Sequence, residues 1–283
     1  MAASERVMIG SKILGRSFVL FMHDWRADAL GDVVKIAMEL VDELGVVPWR
    51  FSGQYKEKRF DKSFKYFKNF FARNLHDIEK LYFQTERREE YIQRMVEFEF
   101  LYDPDTKYHS QDNSIFVGIS EENVESEIKL ASRIFMAFSE CVDFGYGYAG
   151  LLPRGFGALS MRNAMSMGHT ANPDQVTQDI MTHRIKAWRD RAKRGIPTSI
   201  DGFHRDLFDV IVLGRAHLEK RLTDGTRFEQ RFLGGRFGED VALPGGRLMW
   251  TLDKSKIASL RHDMEMEGLF CYQYRPESWQ SIH

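Results

Sequence analysis

Cysteine is nearly absent from this sequence: Cys141 and Cys271 are the only two in 283 residues. Two thiols exclude a disulfide framework and a cysteine-built zinc site, and with thirteen methionines they fit a reducing compartment. An excess of either charge is missing too. Forty basic residues against forty-one acidic ones leave a formal net charge of -1. The bulk electrostatic case for nucleic acid or an anionic membrane as the main partner is thereby removed. Long apolar runs are also lacking, since Gly10, Lys12, Gly15 and Arg16 interrupt the stretch from Val7 to Met22. That is too broken for a signal h-region or a membrane span. The expectation is a soluble cytoplasmic protein. No Gly-x-Ser-x-Gly elbow, no P-loop and no His-Glu-x-x-His spacing occurs.

What the chain does have is core-forming material. A hydrophobic share of 43% and a charged share of 29% are globular values, and the length suits one large domain or two small ones. The run Phe18 to Met22 reads as a buried strand. From Ala27 to Leu44, the residues Leu30, Val33, Val34, Ala37 and Val41 recur at helical spacing, and Gly45 stands where a C-terminal cap belongs. An extended segment from Val46 to Phe51 completes a strand–helix–strand unit.

The stretch Gln54 to Asn74 is the most aromatic and basic part of the chain. Phe60, Phe64, Phe67 and Phe71 recur at helical spacing, which predicts a helix with core phenylalanines and solvated lysines. The competing reading is an aromatic-basic surface. Val96 to Tyr102 alternates with period two and reads as a strand paired with Leu81 to Thr85 across the charged Glu86 to Glu90. Asp103 to Asn113 reads as a loop.

A second unit follows. Ile115 to Ile119 is a strand, and Ser120 is a candidate N-cap with Glu121 and Glu122 in the first turn. Val124, Ile128, Ala131, Ile134, Phe135 and Phe138 make the buried stripe, and Phe144 to Ala149 is the returning strand. Asn172-Pro-Asp174 opens a helix to Arg194 with a strongly basic end. Leu207 to Leu213 reads as a strand, and Ala216 to Leu222 as a short helix. The turn Leu243 to Gly246, the strand Arg247 to Leu252, a helix capped by Asp253 and a strand Leu269 to Gln273 form a third unit. The fold class is α+β: mixed sheets of strand–helix–strand units with helices packed on one face. Residues 1–170 would form one portion and 171–283 another, unless they share one continuous domain.

Three patterns tempt a functional assignment. Gly145-x-Gly147-x-x-Gly150 has the letters of a dinucleotide fingerprint, but the helix precedes it and Pro153 follows it. A pyrophosphate needs the loop before a helix, so these glycines are better read as a strand face that another backbone approaches closely. No cofactor is expected. Ile115-Phe-Val-Gly-Ile-Ser and Arg154-Gly-Phe-Gly-Ala-Leu stand in the order of an RNA-recognition module, which would bind RNA through Phe116, Tyr146 and Phe156. Ala158 stands where that module places an aromatic residue, and no matching second half follows. Nucleic acid is therefore an unfavoured partner. His-Asp pairs occur at 23–24, 76–77 and 262–263, and with His204 and Asp206 they suggest a metal-dependent hydrolase. None has a known metal spacing, so no metal and no catalytic residue is assigned.

The early strand–helix unit, the Tyr-Gly-Tyr strand leading to Gly-Phe-Gly (Gly145 to Gly157) and the Leu-Pro-Gly-Gly turn (Leu243 to Gly246) together carry a resemblance. In that pattern the chain resembles bacterial immunity proteins of type VI secretion and related polymorphic-toxin systems. The resemblance implies a cytoplasmic, non-enzymatic binding protein whose partner is a cognate toxin or effector. It carries across no catalytic residue. The contact residues suggested by exposure and type are Arg154 and Phe156 on the turn, Tyr146 and Tyr148 on the strand, and Arg189 and Arg191 on the basic helix end.

Overall fold

The computed structural model describes residues 14–22, 29–43, 45, 48–56, 58–85, 96–101, 113–120, 127–153, 201–271 and 273. Within them ten strands form one sheet: β1 (Leu14–Met22), β2 (Pro48–Tyr55), β3 (Lys58–Ser63), β4 (Ile78–Thr85), β5 (Val96–Leu101), β6 (Asn113–Ser120), β7 (Phe144–Pro153), β8 (Val210–Leu213), β9 (Gly238–Leu243) and β10 (Arg247–Leu252). Their order across the sheet is β3-β2-β4-β5-β6-β1-β7-β8-β10-β9, and the paired neighbours are antiparallel. Helices α1 (Ala29–Glu43), α2 (Phe67–Asn74), α3 (Glu127–Cys141), α4 (Arg215–Leu218), α5 (Phe228–Phe232) and α6 (Ile257–Met266) complete the described chain. The α+β reading is correct, and the sheet passes from β7 to β8 without a break.

Period-two alternation divides the core into two layers, one on each face of the sheet. Phe18, Leu20 and Met22 of β1 face the first layer with Ile115, Val117, Val210 and Val212. The stripes of α1 and α3 cover that face, from Leu30, Val33, Val34, Ala37 and Val41 to Ala131, Ile134, Phe135 and Phe138. The two long helices thus share a face as expected, and Glu43 pairs with Arg133 between them at 2.7 Å. Gly45 caps α1 at φ +62. Ile128, counted in the buried stripe from the sequence, is 48% exposed, and Leu130 in the same turn, at 3%, takes the buried place. Val19, Phe21, Phe116, Tyr146, Tyr148, Ile211 and Leu213 face the second layer, which the C-terminal part covers with Phe228, Phe232, Leu260, Met264 and Phe270.

A bulge in β7 serves both layers. Phe21 pairs with Tyr146 but Met22 pairs with Phe144, so Gly145 is the extra residue. The slip lets Phe144 join the first layer while Tyr146 and Tyr148 stay in the second. Gly147 has no such slack: a Cβ there would lie 2.8 Å from the Val19 carbonyl oxygen and 2.6 Å from Leu20 Cδ2. At Gly147 the glycine marks close strand packing, as its place in the chain implied.

Three elements depart from the sequence reading. The helix expected over Gln54 to Asn74 is a hairpin strand, β3, then a single 3₁₀ turn (Phe64–Tyr66) and α2. Pairing of Arg50–Tyr55 with Lys58–Ser63 overrides the helical phenylalanine spacing. The rings still converge, with Phe51 lying 5.7 Å from Phe60, 5.2 Å from Phe67 and 5.4 Å from Phe70 between centroids. Strand β9 went unseen because its burial pattern has no alternation, being exposed along most of its length at the sheet's edge. The strand expected at Leu269–Gln273 is a single parallel bridge between His204 and Phe270. Ser120, expected to cap a helix, is instead the last residue of β6 and pairs with Gly15, and Asn113, expected in a loop, opens that strand opposite Met22. The rest of the Asp103–Asn113 loop, Glu121 and Glu122, and the Asp174–Arg194 helix lie outside the described residues.

Candidate functional site

The chemically versatile side chains gather in the second layer. Tyr146 and Tyr148 are both 0% exposed. Tyr148 stacks on Phe208 at 3.8 Å, and Tyr146 stacks on His217 at 5.0 Å. The Tyr146 hydroxyl accepts the Arg205 backbone N–H at 3.4 Å, and burial drives both phenol pKa values up. As interior residues they offer no contact surface, and Phe116, at 4% exposed, offers no stacking platform. Arg154, Phe156, Arg189 and Arg191 lie outside the described residues.

His204 and Asp206 face different surroundings. His204 is fully buried between His217, Phe228 and Phe270, and neither ring nitrogen has a hydrogen-bond partner among the described residues. Burial, then the neighbouring His217 and Lys220, push its pKa well below the usual histidine value. Asp206 instead accepts from the Leu207 N–H at 2.7 Å and pairs with the Arg261 guanidinium at 2.5 Å. His76 and His262 are exposed, and Asp77 pairs with Lys56 at 2.9 Å. Among the described residues no group of three or more His, Cys, Asp or Glu is placed to hold a metal. Burial raises the Cys141 thiol to about 11, with the Asp32 carboxylate adding to the rise, so this cysteine is inert at neutral pH.

An open feature of the described surface lies elsewhere, beside the β2–β3 hairpin. A cleft of about 510 Å³ lies between β3 and α2, lined by Tyr55, Lys62, Tyr66, Asn69, Phe70 and Arg73 among others. Its floor is closely packed, with Phe70 on Phe60 at 4.6 Å and on Tyr55 at 5.5 Å. Tyr66 is 53% exposed at the rim. Lys62 lies over the Phe70 ring at 5.7 Å and Lys65 over the Tyr66 ring at 4.9 Å, the geometry of cation–π pairs. The Asn74 side chain donates to the Phe70 carbonyl at 2.7 Å and fixes the end of α2. Gln54 to Asn74 holds seven Lys and Arg against two acids, and of the described acids Asp61 already pairs with Arg50 at 2.8 Å. The cleft is therefore cationic, in a chain with almost no net charge. The sequence signal for it was the aromatic-basic composition itself, which the even phenylalanine spacing disguised as one helix.

No protein-family model matches this sequence, and neither does any curated protein. Among solved structures the chain is similar to Pseudomonas aeruginosa T6SS protein PA0821, with a TM-score of 0.52 over 90% of this chain and 76% of that one. Sequence identity is 9%. The likeness is one of fold. Among the described residues no helix is long and apolar enough to cross a membrane.

Proposed function

We propose that this chain is a non-enzymatic binding protein of the immunity type, acting in the cytoplasm to neutralise a cognate toxin or effector by direct contact. The observation that carries the proposal is the cationic cleft. Its open wall presents Tyr66, Lys62 and Arg73 over a packed aromatic floor, and tyrosine and arginine are the residue types that concentrate interface energy. The histidines and tyrosines of the second layer, by contrast, are enclosed. The fold likeness to a protein named for the T6SS supports a role in such a system, and Arg154 and Phe156 are proposed as further contact residues.

The test is binding and protection against the products of the coding regions next to this one. One of them is expected to arrest growth when expressed alone, to form a complex with the purified chain, and to be harmless when the two are co-expressed. Charge reversal at Lys62 and Arg73 is expected to weaken that complex about tenfold or more, and alanine at both Arg154 and Phe156 to weaken protection. A toxic neighbour that neither binds nor is neutralised would sink the immunity reading.

A further inference from the structure

The cleft opens beside one end of the sheet. β3 has β2 on one side and, among the described residues, no strand on the other. An edge of this kind presents a row of backbone N–H and C=O groups ready to pair with another chain, and proteins defend such edges with charge, lysine above all. β3 is defended in that way, since Lys58, Arg59 and Lys62 flank the buried Phe60. The defence is selective. Lysine and arginine repel a second copy of this same edge and do nothing against an acidic strand.

We propose that β3 receives an acidic, extended segment of the partner protein as an added antiparallel or parallel strand, with alternate side chains of that segment lying over the cleft. The inference rests on the binding-protein reading and names the chemistry of the partner. Three features converge on it. Alternation places Lys58 and Lys62 on the same face of β3 as Phe60, whose ring packs on Phe70 of α2. Every second residue of an added strand on that face would therefore approach α2. There it meets Lys62, Tyr66 and Arg73 around the cleft, a cationic and aromatic lining suited to carboxylates. The hairpin is also braced: Lys56, at φ +45 in its turn, is tied through its N–H to the Asp77 carbonyl at 3.3 Å and through its Nζ to the Asp77 carboxylate at 2.9 Å. A braced edge is organised before the partner arrives, which lowers the ordering cost of association.

The experiment uses the full chain and a fluorescent peptide of alternating valine and glutamate. Two further versions are N-methylated on alternate residues, one on the valines and one on the glutamates. An added strand bonds through one set of its amides, so one methylated version is expected to lose binding and the other to keep it. K58E with K62E, checked by circular dichroism for an intact fold, is expected to weaken the peptide about tenfold or more. Equal binding of both methylated versions would overturn strand addition and leave charge attraction alone. Failure of the parent peptide to bind at low salt, or tighter binding of an RNA oligomer of equal charge, would overturn the choice of partner. Self-association of the chain through β3 in sedimentation would do the same. None of these outcomes decides whether a neighbouring toxin is neutralised, so the immunity reading stands or falls on its own test.

Discussion

His204 is held neutral by its surroundings, and that has a measurable consequence. Free histidine titrates near 6.5, whereas burial, then His217 and Lys220, depress the pKa of His204 in the folded protein. Between the two values the unfolded chain binds the proton and the folded chain does not, so stability is whole above about pH 6.5 and falls as the pH drops below it, by about 1.4 kcal/mol per pH unit for this group. His204→Phe removes the titration and keeps a ring against Phe228 and Phe270. Urea unfolding at pH 7.5 and pH 5 should show the variant losing less stability than the parent over that interval. An unchanged difference would mean that another group governs acid stability. Arg247 is a contrasting buried charge, because each of its three guanidinium nitrogens donates a hydrogen bond. It donates to the carbonyls of Phe144 and Pro244 at 2.8 Å and 2.9 Å and meets the Asp143 carboxylate, tying the C-terminal hairpin to the start of β7.

At the scale of the element, the glycines of β7 separate cleanly. Gly147→Ala forces a methyl against the Val19 carbonyl and Leu20 and is expected to cost about 1–3 kcal/mol or more. Gly150→Ala meets Phe208 at an ordinary 3.7 Å and is expected to cost less than about 1 kcal/mol. Urea midpoints of the two variants decide it, and equal losses would show that the close approach is not what requires glycine. Elements with a one-sided environment were legible in the sequence: the stripes of α1 and α3 and the hairpin of β4 and β5, whose alternation Phe98 and Phe100 announce. Misreadings arose where a distant partner decides the outcome. Phe60 fits a helix by spacing, but β2 recruits it into a strand. The residues of β9 have no buried face to alternate with. Tyr146 and Tyr148 looked like surface aromatics, and only the packing of Phe208 and His217, some sixty residues later in the chain, puts them inside. The cleft was half legible: its lysines and rings are local in sequence, whereas its opening depends on the hairpin that the spacing concealed.

At the scale of the molecule, the sheet has two unlike ends. β3 carries Lys58, Arg59 and Lys62, and β9 at the far end carries Glu239 and Asp240. The C-terminal part supplies the cover of the second layer as well as three strands of the ten. A chain stopped at Pro153 would expose Tyr146, Tyr148 and the free side of β7 together. It is expected to bind a hydrophobic dye and to self-associate in sedimentation, whereas a monomeric, dye-free fragment would show that the two layers form independently. The strand at the middle of the sheet is β1, whose neighbours are β6 and β7. In synthesis this order is awkward, because Phe18-Val-Leu-Phe-Met22 leaves the ribosome about a hundred residues ahead of either neighbour, roughly ten seconds at ordinary elongation rates. During that wait the apolar run of β1 has neither of its sheet neighbours to pair with. Yield in the cell should accordingly follow elongation speed between the codons for Met22 and Pro153, and the supply of chaperones that hold a nascent strand, more closely than the equilibrium stability of the finished fold.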